Sequence, residues 1–425
     1  MKNLKHIVFL FILLLLVTSC GKDDEPSTPP PPQNTAPELV DQSFTVAENI
    51  TDTTVIGTIT ATDAEEDALT YNLTTNSNDL FVLTQAGELG LATGKLLNYD
   101  VAETHNLTVE VTDGTNTTEA TITISITNTV DVYVVGISNS GINENPNVAT
   151  LWKNGEPIAL SNQISAATAI YILEDDVYVT GWEDNGTNRV ATIWRNGEPT
   201  HLSDKQSQGN DIYVAGDDIY VAGSERDENN DRFAKFWKND LIFSIGGVGS
   251  EAHSITVDYD NNVHVATDEY NAMLWSSFLP TELSDGPGEA NVVKSVGNAI
   301  YVGGQGSSDD TGTYVATVWR NGVATELSTT YGEVYDMKVA GGNLHMVGYA
   351  RNNLVASDLP MYWINDAVTT PFSDASVRLK AIDIFNEDVY ILGEKNGVAT
   401  LWINGEATAL TDETNSRVND VFVKL

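Results

Sequence analysis

Cysteine and positive charge are both scarce in this chain. Only one of its 425 residues is a cysteine, so no intramolecular disulfide can form and a small disulfide-stabilised scaffold is excluded. Lysine and arginine total 21 against 60 aspartates and glutamates, which gives a formal charge of −39. Nucleic acid is therefore not an expected partner, because its phosphates are held by lysine and arginine.

Sequence signatures of common catalytic sites are also missing. The histidines after His6 are scattered, and no metalloprotease spacing, Gly-x-Ser-x-Gly elbow or phosphate-binding glycine loop occurs. Paired acids carry no information in a chain with so many carboxylates. A non-enzymatic protein is therefore expected.

The N-terminal segment is apolar but too short to span a bilayer. Lys2 and Lys5 precede an apolar run over residues 7–17, which has the length of a signal-peptide core. The run ends in Val17-Thr18-Ser19-Cys20, and this resembles the lipobox of bacterial lipoproteins. The resemblance implies that residues 1–19 are a signal peptide and that Cys20 is diacylated. A buried cysteine in an ordinary signal peptide is the alternative.

The segment after Cys20 predicts a location and a tether. Its first residues, Gly21-Lys22-Asp23-Asp24-Glu25, resemble the export signal of Bacteroidetes surface lipoproteins. That resemblance implies a lipid anchor in the outer membrane with the protein exposed on the cell surface. Residues 20–36 are acidic and rich in proline, so we expect an extended spacer.

Residues 37–128 have the alternating pattern of a β-sandwich. The order of four motifs in this stretch resembles a cadherin repeat: Ala47-Glu48-Asn49, Ala61-Thr62-Asp63-Ala64-Glu65-Glu66-Asp67, Leu97-Asn98-Tyr99-Asp100 and Val111-Thr112-Asp113-Gly114. The resemblance implies a cadherin-like domain with calcium bound at its ends.

The calcium ligands that the resemblance implies fall into two groups. Glu48, Asn98 and Asp100 belong to one end of the domain. Asp63, Glu65 and Asp113 belong to the other. The acidic linker between repeats is absent and there is only one repeat, so a weak calcium site and simply solvated acidic turns both remain open.

Residues 131–425 contain a repeat marked by tryptophan. The spacing of 38 to 44 residues is set by Trp152, Trp194, Trp237, Trp275, Trp319, Trp363 and Trp402. Short strands with a period near forty predict a seven-bladed β-propeller of four-stranded blades. A tryptophan that recurs once per blade is expected to pack between blades rather than to stack on sugars.

Each predicted blade has an inner strand, such as residues 211–215, and an Asn-Gly hairpin after the Trp strand. The first blade starts at its second strand, Asp131 to Gly136, and its inner strand is predicted to be residues 419–425. The C-terminal strand would then close the first blade and leave no open edge. Overall the sequence predicts an all-β protein.

Binding residues are expected in the long loops of the propeller. Trp182 is outside the tryptophan repeat and precedes Glu183 and Asp184, so it either stacks on a sugar or caps the sheet. Asp227, Asn229 and Asp231 offer oxygens at alternate positions for a ligand or cation, although the loop lacks an EF-hand glycine.

Aspartates at the start of several inner strands form an incomplete predicted ring at the channel mouth. Asp211, Asp336 and Asp420 belong to it. The equivalent positions in the other blades are assigned to Ala169, Ser254, Asn291 and Ala381.

These features predict a lipid-anchored surface protein for calcium-linked adhesion or recognition of an extracellular glycan or protein. Its partners would be the membrane and that ligand, with calcium as a weak cofactor. The alternative is a polysaccharide-active enzyme with acidic residues on the loop face of the propeller. A third possibility is a purely structural outer-membrane component.

Overall fold

A computed structural model describes residues 33–99, 101–138, 147–308, 312–352, 357–369, 372–411 and 416–425. Within these residues the chain is all-β, as predicted, apart from one 3-10 helix at Ser77–Asp79. The chain forms two compact units whose boundary lies between Thr129 and Val130. No helix in this described part is long and apolar enough to cross a membrane.

The first unit is a sandwich of two sheets. Its strands are β1 (Gln42–Ala47), β2 (Val55–Thr58), β3 (Thr70–Thr75), β4 (Phe81–Leu83), β5 (Glu88–Leu91), β6 (Thr104–Thr112) and β7 (Thr117–Thr127). One sheet has the order β1-β7-β6-β3, with β1 parallel to β7, and the other has the order β2-β5-β4. Alternate residues of β6 and β7 point into a shared core, where Val109, Ile122 and Leu89 are at most 1% exposed.

The second unit consists of short antiparallel strands throughout. They are β8 (Asp131–Ser138), β9 (Val148–Lys153), β10 (Glu156–Ala159), β11 (Ser165–Leu173), β12 (Asp176–Asp184), β13 (Arg189–Arg195), β14 (Glu198–His201), β15 (Ser207–Ala215), β16 (Asp218–Arg226), β17 (Arg232–Lys238), β18 (Leu241–Val248), β19 (Glu251–Val257), β20 (Val263–Asp268), β21 (Asn271–Ser276), β22 (Leu279–Pro287), β23 (Glu289–Val296), β24 (Ala299–Ser307), β25 (Tyr314–Arg320), β26 (Val323–Ala340), β27 (Asn343–Asn352), β28 (Ser357–Ile364), β29 (Ala367–Thr369), β30 (Val377–Phe385), β31 (Asp388–Lys395), β32 (Val398–Ile403), β33 (Glu406–Ala409) and β34 (Arg417–Lys424).

These strands form separate sheets, and no sheet among the described residues closes on itself. Four sheets contain four consecutive strands each, namely β11–β14, β15–β18, β19–β22 and β30–β33. A seven-stranded sheet runs from β23 to β29 because β26 continues for 18 residues without a break. The outer strand of one predicted four-stranded group and the inner strand of the next are therefore one strand, which the repeat spacing did not indicate.

The C-terminal strand pairs with the first strand of the second unit. The order of this sheet is β10-β9-β8-β34, and Val421 of β34 lies opposite Val134 of β8. The predicted pairing of the C-terminus with residues 131–136 is confirmed. Val418, Val421 and Val423 are at most 5% exposed, so β34 contributes to the core and covers the edge of β8.

The strands at the positions predicted to be inner, here called the inner strands, are β11, β15, β19, β23, the second half of β26, β30 and β34. Each has a one-residue irregularity in its pairing with the following strand or, for β34, with β8. The extra residues are Thr168, Asn210, His253, Asn291, Tyr335, Lys380 and Asn419. Such bulges turn a side chain out of the ladder and increase the local twist of the strand.

At six of the seven bulges a glycine lies on the neighbouring strand, and only at the bulge of β19 does Thr267 of β20 take this place. A Cβ on Gly181 of β12 would lie 1.9 Å from the carbonyl oxygen of Ala166, and one on Gly136 of β8 would lie 2.0 Å from that of Arg417. No side chain fits at these distances, so the close approach of the two strands depends on the missing Cβ.

The repeated tryptophans pack between neighbouring groups of strands, as predicted. Trp194 of β13 is fully buried and packs with Val135 and Leu151 of the preceding sheet. Trp152 of the first sheet packs with Tyr390 and Leu392 of the last. The hydrophobic contacts therefore connect the last sheet with the first.

Candidate functional site

Cys20, the predicted lipidation site, lies outside the described residues, and so does Asp100, one of the predicted calcium ligands. The same holds for the signal segment and for residues 20–32 of the tether. Lipid anchoring therefore stays a prediction from the sequence.

Glu48 holds together one end of the first unit. Its Oε2 accepts a hydrogen bond of 2.9 Å from the backbone N–H of Tyr99, and its Oε1 accepts one of 2.9 Å from Thr129 N–H. The Oδ1 of Asn98 accepts the N–H of Val101 at 3.1 Å. Both oxygens of Glu48 are thus occupied by backbone donors.

The other end gathers the three remaining predicted ligands around Asn34 and Thr35. Asn34 donates from Nδ2 to Asp113 Oδ2 at 3.0 Å, and the Thr35 hydroxyl donates to Glu65 Oε2 at 2.8 Å. The Oδ1 of Asp63 accepts the N–H of Glu65 at 3.0 Å. The backbone N–H of Asn116 holds the pKa of Asp113 below its usual value, so this carboxylate is ionised.

Two oxygens at this second end are buried without a hydrogen-bond partner. They are Asn34 Oδ1 and Asp63 Oδ2. Oxygens of carboxylate and amide side chains are the donors that calcium prefers, so this donor set fits the ion. No three of the described acidic, histidine or cysteine side chains come together as a metal cluster, however, so the side chains shown here do not form a complete site.

Trp182 lies within β12 rather than in a loop. The guanidinium carbon of Arg189 lies 4.0 Å from the centre of its ring, so a cation already covers one face. The next residue, Glu183, is 7% exposed and accepts a hydrogen bond from Ser161, while His201 Nε2 lies 2.8 Å from its Oε2. Neighbouring strand residues point to opposite faces, so Trp182 and Glu183 are not brought together to hold one sugar.

Asp227, Asn229 and Asp231 form a self-contained turn between β16 and β17. The Oδ1 of Asp227 accepts the N–H groups of Asn229 and Asp231 at 2.8 and 2.9 Å. These hydrogen bonds lower the pKa of Asp227, and the bond from Asp231 has the largest effect. The loop therefore uses one carboxylate oxygen internally, and this oxygen does not face outward as a cation ligand.

Glu333 carries a buried carboxyl group and lies at the start of the second half of β26. Glu333 is 9% exposed and accepts a hydrogen bond of 2.6 Å from Asn291 Nδ2. Burial raises the pKa of Glu333 to about 7, and the negative charge of the adjacent Glu289 adds to this effect. At neutral pH the Glu333 carboxyl is therefore partly protonated, a property that the sequence did not indicate.

The seven inner strands together line two cavities. The larger one, here called the turn-side cavity, has a volume of about 250 Å³, and the smaller one, the loop-side cavity, about 110 Å³. Lys294, Asp211, Asp336 and Asp420 line both cavities. The three predicted aspartates are therefore brought together, but they lie between the two cavities and not at a channel mouth. Because Asn291 is the bulged residue, the equivalent position in its strand is Val292 and not Asn291.

Each of these aspartates connects two inner strands. Asp336 accepts the N–H of Met337 on its own strand at 2.8 Å and that of Ile382 on the next at 2.9 Å. Asp420 likewise accepts the N–H groups of Val421 and Ile170 at 2.8 and 2.9 Å. Their oxygens are thus occupied by the fold itself.

Apart from the three predicted aspartates, the charged and aromatic residues of the turn-side cavity were missed by the sequence analysis. They are Tyr171, Tyr213, Lys294, Lys338, Asp383 and Phe422. The inner strands can be aligned on their bulges, and the residue after each bulge is the aspartate position. Each of the six residues then lies two positions after the aspartate position of its own strand. A lysine at this position in an otherwise apolar strand was the available signal.

Comparison with known proteins identifies the first unit. Residues 42–127 match the model of the cadherin domain family. Drosophila N-cadherin repeats EC1–3 are 22% identical over 23% of this chain and 35% of that structure, with a TM-score of 0.21. The third cadherin domain of human protocadherin 7 is 20% identical over 25% of this chain and 94% of that structure, with a TM-score of 0.20.

Another solved structure matches a larger share of the chain. A puromycin-hydrolysing peptidase of Mycobacterium tuberculosis is 9% identical over 66% of this chain and 51% of that structure, with a TM-score of 0.47. None of the curated proteins matches the chain. The family match and the two-sheet sandwich agree for the first unit alone: residues 42–127 are a cadherin domain.

Proposed function

We propose that the protein is a lipid-anchored surface protein for calcium-linked adhesion or recognition of an extracellular glycan or protein. The observation that carries this proposal is the cadherin domain, a fold that suggests adhesion or recognition. The buried, unpartnered oxygens of Asn34 and Asp63 support calcium as the linked ion.

We further propose that the second unit is a seven-bladed β-propeller closed by β34. Hydrogen bonds between consecutive inner strands support it. Asn210 donates to Ala252 O at 2.9 Å, and Asn291 donates to Val334 O at 2.9 Å. Between the last and first groups of strands, Asn419 donates to Ala167 O at 2.7 Å. A rigid ring of this kind would present its variable loops for recognition.

Anchoring is tested by the change Cys20→Ser. Two acyl chains provide stable membrane attachment and cannot form without the thiol, so we expect the variant to leave the outer-membrane fraction. The measurement is the distribution of the protein between soluble and outer-membrane fractions, with acylation followed by a labelled fatty acid. The change Ser19→Ala, which keeps a small residue before Cys20, serves as the control. Unchanged fractionation of Cys20→Ser would contradict the anchor.

Calcium binding is tested by calorimetry on residues 21–425. A site without a second repeat should belong to the weak extracellular class, with a Kd of about 10⁻⁴ to 10⁻³ M. One millimolar calcium would then stabilise the cadherin domain by about 0.4 to 1.4 kcal/mol. We expect Asp63→Asn with Asp113→Asn to abolish the heat, since these carboxylates belong to the end with unpartnered oxygens.

The matched control is Glu48→Gln with Asp100→Asn at the opposite end. These four changes keep hydrogen-bonding side chains of similar size and remove two charges in each variant. Loss of heat in the Glu48 and Asp100 variant alone would move the ion to that end. Identical titrations for all three proteins would contradict a site and indicate diffuse attraction to an acidic chain.

A second candidate function is a polysaccharide-active enzyme. Glu333 favours it, because a carboxyl group that keeps its proton near neutral pH can act as a general acid. Release of reducing sugar from a polysaccharide, with loss of that activity in Glu333→Gln, would support this candidate. Binding of the polysaccharide without release of reducing sugar would instead support recognition as the function.

A further inference from the structure

The turn-side cavity has one aromatic side. The rings of Tyr171 and Tyr213 are 5.1 Å apart, and those of Tyr171 and Phe422 are 5.8 Å apart. These three residues come from three neighbouring inner strands and form a continuous wall. Val296, which is 42% exposed, also lines the cavity, so the cavity reaches the protein surface. A volume of about 250 Å³ suits a ligand of a few heavy atoms.

The cavity carries more negative than positive charge. Asp211, Asp336, Asp383 and Asp420 line it, against Lys294 and Lys338. Lys338 Nζ lies 2.5 Å from Asp383 Oδ1, which leaves the carboxyl groups of Asp211, Asp336 and Asp420 against the one ammonium group of Lys294. This excess of acidic groups favours a positive charge in the cavity.

The protonation of these groups agrees with this preference for positive charge. Burial would lower the pKa of Lys294, but Asp336, Asp211, Asp420 and Asp383 raise it instead. Burial raises the pKa of Asp336 and, together with the neighbouring carboxylates, that of Asp420, so these two acids keep their protons to higher pH than an exposed carboxyl group does. These shifts mean that a further positive charge in the cavity would be stabilised.

Acidic residues also occur in hairpins that follow the inner strands. Exposed carboxylates occur in the hairpins that follow three inner strands, at Glu174, Asp217 and Glu387. Clustered charges of one sign raise the local concentration of the opposite ion and increase its association rate. The approach to the cavity therefore also favours cations.

The cavity does not suit a metal ion. The oxygens of Asp336 and Asp420 accept backbone N–H groups, and no three described acidic or histidine side chains converge on a metal position. A cation that needs no direct carboxylate ligands can instead use the faces of aromatic rings. We propose that the turn-side cavity binds a small organic ammonium ion against the wall formed by Tyr171, Tyr213 and Phe422.

One part of this wall already faces a cation of the protein. Lys338 Nζ lies 5.9 Å from the ring centre of Phe422. A bound ammonium ion would contact Tyr171 and Tyr213, and the charge of Lys338 would oppose it. Removing that charge while keeping the length of the side chain should therefore strengthen binding.

The experiment is calorimetry on residues 21–425 with two probes of the same shape. Choline carries a quaternary ammonium group, and 3,3-dimethylbutan-1-ol replaces its nitrogen by carbon. At constant ionic strength we expect one choline per chain and at least tenfold weaker binding of the alcohol. Tyr213→Leu should weaken choline binding about tenfold, Tyr213→Phe by less than twofold, and Lys338→Met should strengthen it at least threefold.

Circular dichroism on each variant verifies that the fold is intact, so a loss of binding reports on the wall. Equal affinity for choline and the alcohol would overturn the proposal in favour of a merely apolar cavity. Binding of acetate in place of choline would overturn it in favour of an anion site. No heat with choline from the folded parent would overturn it outright.

Discussion

Deletion of residues 417–425 is expected to unfold the second unit or to lower its free energy of unfolding by at least about 5 kcal/mol. The strand β34 buries Val418, Val421 and Val423, and each buried side chain of this kind contributes about 1.5 to 3 kcal/mol. Its removal would also leave the backbone groups of β8 without partners on that side.

The deletion also removes hydrogen bonds to other inner strands. Asp420 would no longer accept the N–H of Ile170, and Asp383 would lose the N–H of Val423. Because Asp383 is buried, an unpaired oxygen there carries a further cost. The loss should therefore affect the groups of strands on both sides of β34.

Guanidinium unfolding followed by circular dichroism and tryptophan fluorescence measures this effect. Deletion of Leu425 alone is the control, since this residue is 50% exposed and lies beyond the last paired residue, Lys424. The control should unfold like the parent. Equal midpoints for the parent and the 417–425 deletion would show that β34 is dispensable and would remove the main support for a closed ring.

The elements that repeat were predictable from the sequence. The Asn-Gly hairpins are one example, since Asn196 and Gly197 both have positive φ, as a two-residue turn of this type requires. The C-terminal strand was predictable because a strand missing at one end of a repeat must be supplied from the other. Periodic residues determine such features, and single sequences show periodicity directly.

Features that depend on one residue were not predictable in the same way. The bulges shift the register by one position, so Asn291 was aligned where Val292 lies. Asn291 instead donates to the next inner strand. A bulge leaves little trace in hydrophobic alternation, because its neighbours on both sides remain buried.

The candidate sites were predictable in part. The motifs of the cadherin domain located the acids at its two ends, but not which oxygens the backbone would occupy. Glu48 binds two N–H groups, whereas Asp63 keeps a buried oxygen without a partner. The charges of Lys294 and Asp383 were missed because these residues come from strands that lie far apart in the sequence and meet only across a cavity.

The change Trp363→Ala is expected to destabilise the second unit by about 3 to 5 kcal/mol, the usual cost of removing a buried tryptophan. Trp363 is fully buried and packs with Met337, Met346 and Val318. Trp275 is the only partly buried member of the series, so Trp275→Ala should cost less. The two tryptophans occupy the same position in the repeat but differ in burial, so comparing the two variants measures the effect of burial alone.

Replacement by phenylalanine gives a sharper test of what the tryptophans do. The indole N–H of Trp363 is buried without a hydrogen-bond partner, whereas that of Trp275 donates to Thr267 Oγ1 at 3.1 Å. Trp363→Phe should therefore recover much of the loss seen with alanine, because a ring refills the space and no bond is broken. Trp275→Phe should recover less, since it leaves the Thr267 hydroxyl without this donor. Thermal and guanidinium unfolding of the four variants measures both differences. Equal losses for Trp363→Ala and Trp275→Ala would contradict packing between neighbouring groups of strands as the reason for the repeat.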